Sequence, residues 1–268
     1  MQKKSVWLYL LVTFGLGWAL QIGGIYTGFI SYDQPGIFSS LFYAAVMWAP
    51  ALGALAVALL TPDKAYALPD VWPLPIKSAL RIILAVFLVF ALNYTLAGLL
   101  GFTTPQWHLS SLFNQLDPKD TAHISPNIME ILPYFLSVSG FLLSLCLGAS
   151  LFAVAMLGGE LGWRGCLLPR LAGRNRWIAP IITAVLWGLW FLPLTIGQAL
   201  RFPDDNNLVM MVIGEGVTAL LIGIVLGRIT LEGRHLGLAA LLLGCFVGQR
   251  YGMWSYLFPG SSLPWAGT

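Results

Sequence analysis

GGELGWRGCLLPRL, residues 158–171, closes an apolar run that begins at residue 131 and carries no charged side chain before Glu160. A run of that length crosses a hydrocarbon core of ~30 Å as an α-helix. Within the closing stretch Glu160 and Arg164 stand four apart. On a helix that spacing puts them on one face with the acid toward the N-terminus, the orientation that favours a pair. Ionisable side chains at membrane depth are costly; they either mark a functional site or pair with one another and fix packing. Both readings stay open on these residues alone.

The rest of the chain has the same character. Of 268 residues, 58% are hydrophobic and 9% charged, and the mean hydropathy is +0.80. Soluble domains carry about 25% charged residues. The composition therefore specifies an all-α integral membrane protein, a single polytopic domain over residues 1–268. The alternating ~10-residue pattern of a membrane β-barrel is absent. The net charge of +3 gives no basis for nucleic-acid binding.

About seven transmembrane helices are predicted, near residues 6–27, 42–60, 79–100, 131–157, 178–198, 208–229 and 236–256. The first resembles a signal sequence in its charge pattern but is too long for a signal h-region. An N-terminus in the cytoplasm puts Lys3, Lys4, Lys64, Lys77, Arg81, Arg170, Arg174, Arg176, Arg228 and Arg234 on one side. Only Lys119 and Arg201 fall on the other, a strong positive-inside bias.

Metal chemistry finds little support. Cys146, Cys166 and Cys245 fall singly among apolar residues, with neither disulfide nor zinc spacing. The polar loop at 101–127 holds His108, Asp117, Asp120 and His123 in no recognised ligand pattern, and reads as solvated. Its SSLFNQL piece reads as a short interfacial helix. No metal and no cofactor are expected. Glycines recur at small-xxx-small spacing as Gly158/Gly162, Gly223/Gly227, Gly233/Gly237 and Gly244/Gly248, which lets helix backbones approach closely. Trp177, Trp187, Trp190, Tyr251 and Trp254 read as interface belts or packing.

GELGWRGCLLPRL, followed by AVLWGLWFLPL at 184–194, closely resembles the CAAX protease and bacteriocin-processing family (CPBP or Abi), the glutamic intramembrane endopeptidases. The resemblance implies a CAAX-protease-like helical bundle with its core near residues 130–250. The family carries Glu-Glu-x-x-x-Arg, then an aromatic-led motif ending in His, then His-x-x-x-Asn on a late helix. Glu160 and Arg164 match the second Glu and the Arg, and Trp163 belongs to the motif's packing. The leading Glu, which in the family helps activate water, is Gly159 here. The second motif's His is Phe191. The third motif falls near 242–248, where Leu242/Phe246 or Gly244/Gly248 stand and no His or Asn occurs.

Peptide hydrolysis by this route needs a base for water and polar groups for the oxyanion. Glycine and phenylalanine side chains supply neither, and acid–base help alone is worth ~10²–10⁴ in rate. The first expectation is a degenerate family member without proteolytic activity, acting as a binding scaffold, regulator or immunity-type protein. Its partners would be membrane lipid and a peptide, a prenylated tail or another protein's transmembrane helix. The alternative is an active endopeptidase using Glu160 or Glu215 as non-standard catalytic residues; Glu160 would first have to leave Arg164. A third reading is a small transporter or channel component, although inverted repeats are lacking. His235, beside Arg234 at the predicted cytoplasmic edge, reads as solvated or in contact with headgroups. The motif style implies a bacterial plasma membrane.

Overall fold

The computed structural model describes residues 2–31, 37–61, 69–109, 113, 124–202 and 207–258. Lys64, Asp117, Lys119, Asp120, His123, the 110–116 piece apart from Phe113, and the tail from 259 lie outside them.

Among the described residues the chain is helical and contains no strand. Six helical stretches are long and apolar enough to cross a membrane, and a shorter apolar helix follows at Leu236–Arg250. The protein is a multi-pass helical membrane protein. Its helices are α1 (Gln2–Thr27), α2 (Ile37–Val46), α3 (Ala49–Leu60), α4 (Ile76–Leu99), α5 (Pro126–Leu147), α6 (Ala153–Gly162), α7 (Leu168–Ala172), α8 (Ala179–Trp190), α9 (Leu192–Arg201), α10 (Leu208–Gly233), α11 (Leu236–Arg250) and α12 (Trp254–Leu257). A wider π-helical turn, Gly148–Phe152, follows α5, and a second, Trp163–Leu167, joins α6 to α7.

Proline sets several of these boundaries. Pro50, Pro126, Pro180 and Pro193 each sit in the first turn of a helix, where the missing N–H has no intrahelical partner to lose. Two predicted spans are accordingly broken: 42–60 at Met47–Trp48, before Pro50, and 178–198 at Phe191, before Pro193.

The chain forms two compact units. One comprises Met1–Pro75 and Ala153–Ala240, the other Ile76–Phe152 and Leu241–Thr268. In the first, α1 packs on α3, α3 on α6, and α8 on α10. Gly53 admits Thr13 of α1, and Gly223 and Gly227 of α10 admit Ala184 and Pro180 of α8. Tyr9, Val46, Val57, Trp163, Leu167 and Trp190 form its buried core.

In the second unit Trp254 stacks on Tyr94 at 5.4 Å and meets Phe141 edge-on at 4.7 Å. A buried relay runs from Trp254 Nε1 to Gln249 Oε1 (2.8 Å) and from Gln249 Nε2 to Ser144 Oγ (3.0 Å). Gly148 meets the backbone of Gly244 and Cys245, and Gly248 meets Ser144 and Gly148. Three of the four glycine pairs thus serve packing within the chain. Gly233 is the exception, since a Cβ there would touch nothing within 4 Å.

His235 departs from expectation. It is buried, its Nε2 lies 3.0 Å from the Pro73 carbonyl, and its Nδ1 accepts from the Leu238 N–H at 3.3 Å. With Nδ1 accepting, Nε2 is the donor, so the ring caps the start of α11. Backbone bonds from Asp70 N–H to Arg234 O (2.8 Å) and from Leu236 N–H to Asp70 O (2.7 Å) close the same junction. A solvated histidine ring would leave the Leu238 N–H of that first turn without this acceptor.

Candidate functional site

The site is built on the turn where α6 widens into Trp163–Leu167. Here the Leu168 N–H reaches back five residues to Trp163 O, and such π turns occur often at functional sites. Arg164 Nη1 donates to Glu160 Oε1 at 2.8 Å, and neither residue is exposed to solvent (0%). The four-residue spacing therefore produces the pair even though Arg164 lies in the widened turn.

What surrounds the pair is aromatic. The Arg164 guanidinium carbon lies 4.8 Å from the centre of the Trp187 ring, close enough for cation–π attraction. Trp163, also fully buried, meets Tyr9 (5.7 Å), Phe14 (6.2 Å) and Trp190 (6.4 Å) edge-on. Gly223 of α10 leaves the space beside Arg164 Nη2, which lies 3.4 Å from where a Cβ would stand. Among the described residues, Glu160 Oε2, Arg164 Nε, Arg164 Nη2 and Trp163 Nε1 have no hydrogen-bond partner.

Three glycines flank the acid, and they differ. A Cβ on Gly158 would lie 2.5 Å from Trp48 Cγ, and one on Gly162 would overlap Pro50. A Cβ on Gly159 would meet only Met47 O at 3.6 Å and Trp163 Cδ1 at 3.9 Å, ordinary contacts. Packing thus requires glycine on both sides of the position that matches the family's leading Glu, but not at that position.

Phe191 stands at the break between α8 and α9. Its ring meets Trp190 at 5.0 Å and Trp187 at 5.6 Å, both edge-on. Trp187 therefore touches both Arg164 and the residue in the histidine's place. The break also frees the Trp190 carbonyl: the Leu194 N–H bonds to Phe191 O, and Trp190 O accepts from Trp18 Nε1 (3.2 Å) and Gln21 Nε2 (3.1 Å) of α1. In return Trp190 Nε1 donates to Thr13 O at 3.1 Å, nested where Gly17 has no side chain.

Glu215 is half-buried on α10. It lies two turns before Gly223, ~12 Å along the helix axis from the level of Arg164. Leu242, Gly244, Phe246 and Gly248 lie in the second unit, where Phe246 meets Phe90 at 5.2 Å and Gly248 meets Ser144. Of the two histidines in the polar loop, His108 meets the Tyr134 ring at 6.3 Å. Among the described residues no three His, Cys, Asp or Glu side chains gather as metal ligands do.

Sequence reasoning missed the contribution of α1. Tyr9, Thr13, Phe14 and Gln21 wall or brace the motif, and Gln21 carried a signal, as a polar residue in the middle of an apolar span.

These features define a polytopic helical membrane protein with a buried Glu–Arg pair inside an aromatic wall. Residues 121–247, which include that pair and Phe191, match the family described as type II CAAX prenyl endopeptidase Rce1-like. Over these residues, just under half of the chain, this multi-pass membrane protein is similar to the Rce1-like CAAX protease family. Comparison with curated proteins and with solved structures returned no match.

Proposed function

We propose that this protein is a catalytically silent Rce1-like member, using the protease scaffold for binding as a scaffold, regulator or immunity-type protein of a bacterial plasma membrane. One observation carries the reading. The motif's packing residues are all in place, whereas the positions that would activate water hold Gly159 and Phe191. The remaining acid, Glu160, is sealed from solvent and tied to Arg164 at 2.8 Å. A general base must reach the proton that it removes, directly or through one water. Glu160 in this arrangement reaches neither. Glu215 is the other carboxylate to weigh, and its distance along α10 argues against a shared site with Arg164.

The chemistry of a partner follows from the setting. A peptide, a prenylated tail or another protein's transmembrane helix would meet apolar helix faces. The positive-inside bias supports a cytoplasmic N-terminus.

The test is cleavage. Purified protein in lipid, offered prenylated and unprenylated peptides, is expected to leave both intact, and Glu160→Gln and Glu215→Gln to change nothing. Cleavage by the natural chain that either substitution abolishes would overturn the proposal in favour of an active endopeptidase.

A further inference from the structure

Away from the Glu–Arg pair, a cavity of about 350 Å³ opens between the first turns of α1 and the end of α7. Among the described residues its polar wall is Lys3, Arg170 and Arg174, with no carboxylate beside them. Its apolar wall is Val6, Leu10 and Leu171, with Trp7 beside them. Lys3 begins the first apolar span and Ala172 ends the fourth. The cavity therefore lies where apolar sequence gives way to polar, at the depth of lipid headgroups. Trp7, 71% exposed, suits that depth.

The three cations are not equivalent. Arg170 is buried, and its Nη1 donates to Cys166 O at 2.7 Å and contacts Cys166 Sγ at 3.1 Å. It is a preset charge at the base of the cavity. Lys3 and Arg174 are exposed at the mouth. The exposed Lys3 and Arg174 beside an apolar wall attract an anion. The wall selects among anions: Val6 and Leu10 share one face of α1 at helical spacing and offer a bed for a hydrocarbon chain. Basic pockets between transmembrane helices are a recurrent form of anionic headgroup site.

We propose that this cavity holds the phosphate diester of an anionic phospholipid, with Lys3, Arg170 and Arg174 around the phosphate and one acyl chain along Val6 and Leu10. The proposal is independent of whether the family's chemistry survives. The test uses the full chain in neutral detergent micelles carrying phosphatidylglycerol or phosphatidylcholine, with retained lipid read by native mass spectrometry. Phosphatidylglycerol is expected to be retained about thirtyfold better, and Lys3→Gln and Arg174→Gln each to lower that preference about fivefold, the effect of one basic residue near a phosphate. Lys4→Gln, which removes the same charge from the next residue of α1 outside the cavity, is expected to leave it unchanged. Equal retention of the two lipids, or an equal loss with Lys4→Gln, would overturn the site. Displacement of phosphatidylglycerol by inorganic phosphate at equal concentration would overturn the lipid assignment and make the ligand a soluble anion.

Discussion

Gly158 and Gly162 occupy the same turn and a half of helix as Gly159, yet they answer to different constraints. The outer two are where α6 meets Trp48 and Pro50, and a single added carbon has no room at either. Gly159 has room for a Cβ. Contact at the Cβ therefore does not by itself demand glycine at 159, as it does at 158 and 162. The same contrast separates the two aromatic residues at the α8–α9 break. The Trp190 side chain donates to Thr13 O, a bond lost on replacement, while the Phe191 side chain makes ring contacts with Trp187 and Trp190. On the proposed reading, the positions that hold helices together match the family motif, and Gly159 and Phe191 are where the match fails.

Substitutions can break this contrast at several strengths. The largest effect is expected from Arg164→Ala, which strands Glu160 as a buried charge. Removing one member of a buried pair costs about 3–5 kcal/mol, read as unfolding free energy in mixed micelles. An effect below ~1 kcal/mol would mean that the pair is not an anchor. Next comes Gly162→Ala, for which overlap with Pro50 is expected to cost about 1–3 kcal/mol in the same assay. Trp190→Phe removes the bond to Thr13 O and is expected to cost about 1 kcal/mol. The smallest effect is Gly159→Ala, predicted to stabilise by about 0.5 kcal/mol, because alanine is the better helix former and the site is open. If Gly159→Ala destabilised as much as Gly162→Ala, the distinction between packing and vacated chemistry would fail.

Much of this was legible in the sequence, for physical reasons. The apolar runs at 6–27, 79–100 and 208–229 correspond to α1, α4 and α10 within a few residues, because length and hydropathy alone determine a membrane span. The pairing of Glu160 with Arg164 follows from helical spacing. The breaks before Pro50 and Pro193 were within reach, since proline belongs in a first turn, but the hydropathy of both stretches is uninterrupted and hides them.

Other features left little trace. The widened turn at Trp163–Leu167 has no compositional signature. His235 stands where serine, threonine, aspartate or asparagine would ordinarily announce a helix start, so its capping role emerges only when Pro73 and Asp70 come beside it. The cationic cavity joins Lys3 to Arg170 and Arg174 across most of the chain length, a proximity that no local pattern encodes.

The central claim is that Glu160 serves Arg164 as a counter-ion and not as a reagent. A double-mutant cycle on stability, using Glu160→Gln, Arg164→Gln and both together, measures it most directly. The account predicts a favourable coupling of about 2 kcal/mol, with the double substitution less harmful than Arg164→Gln alone. A coupling indistinguishable from zero would contradict it.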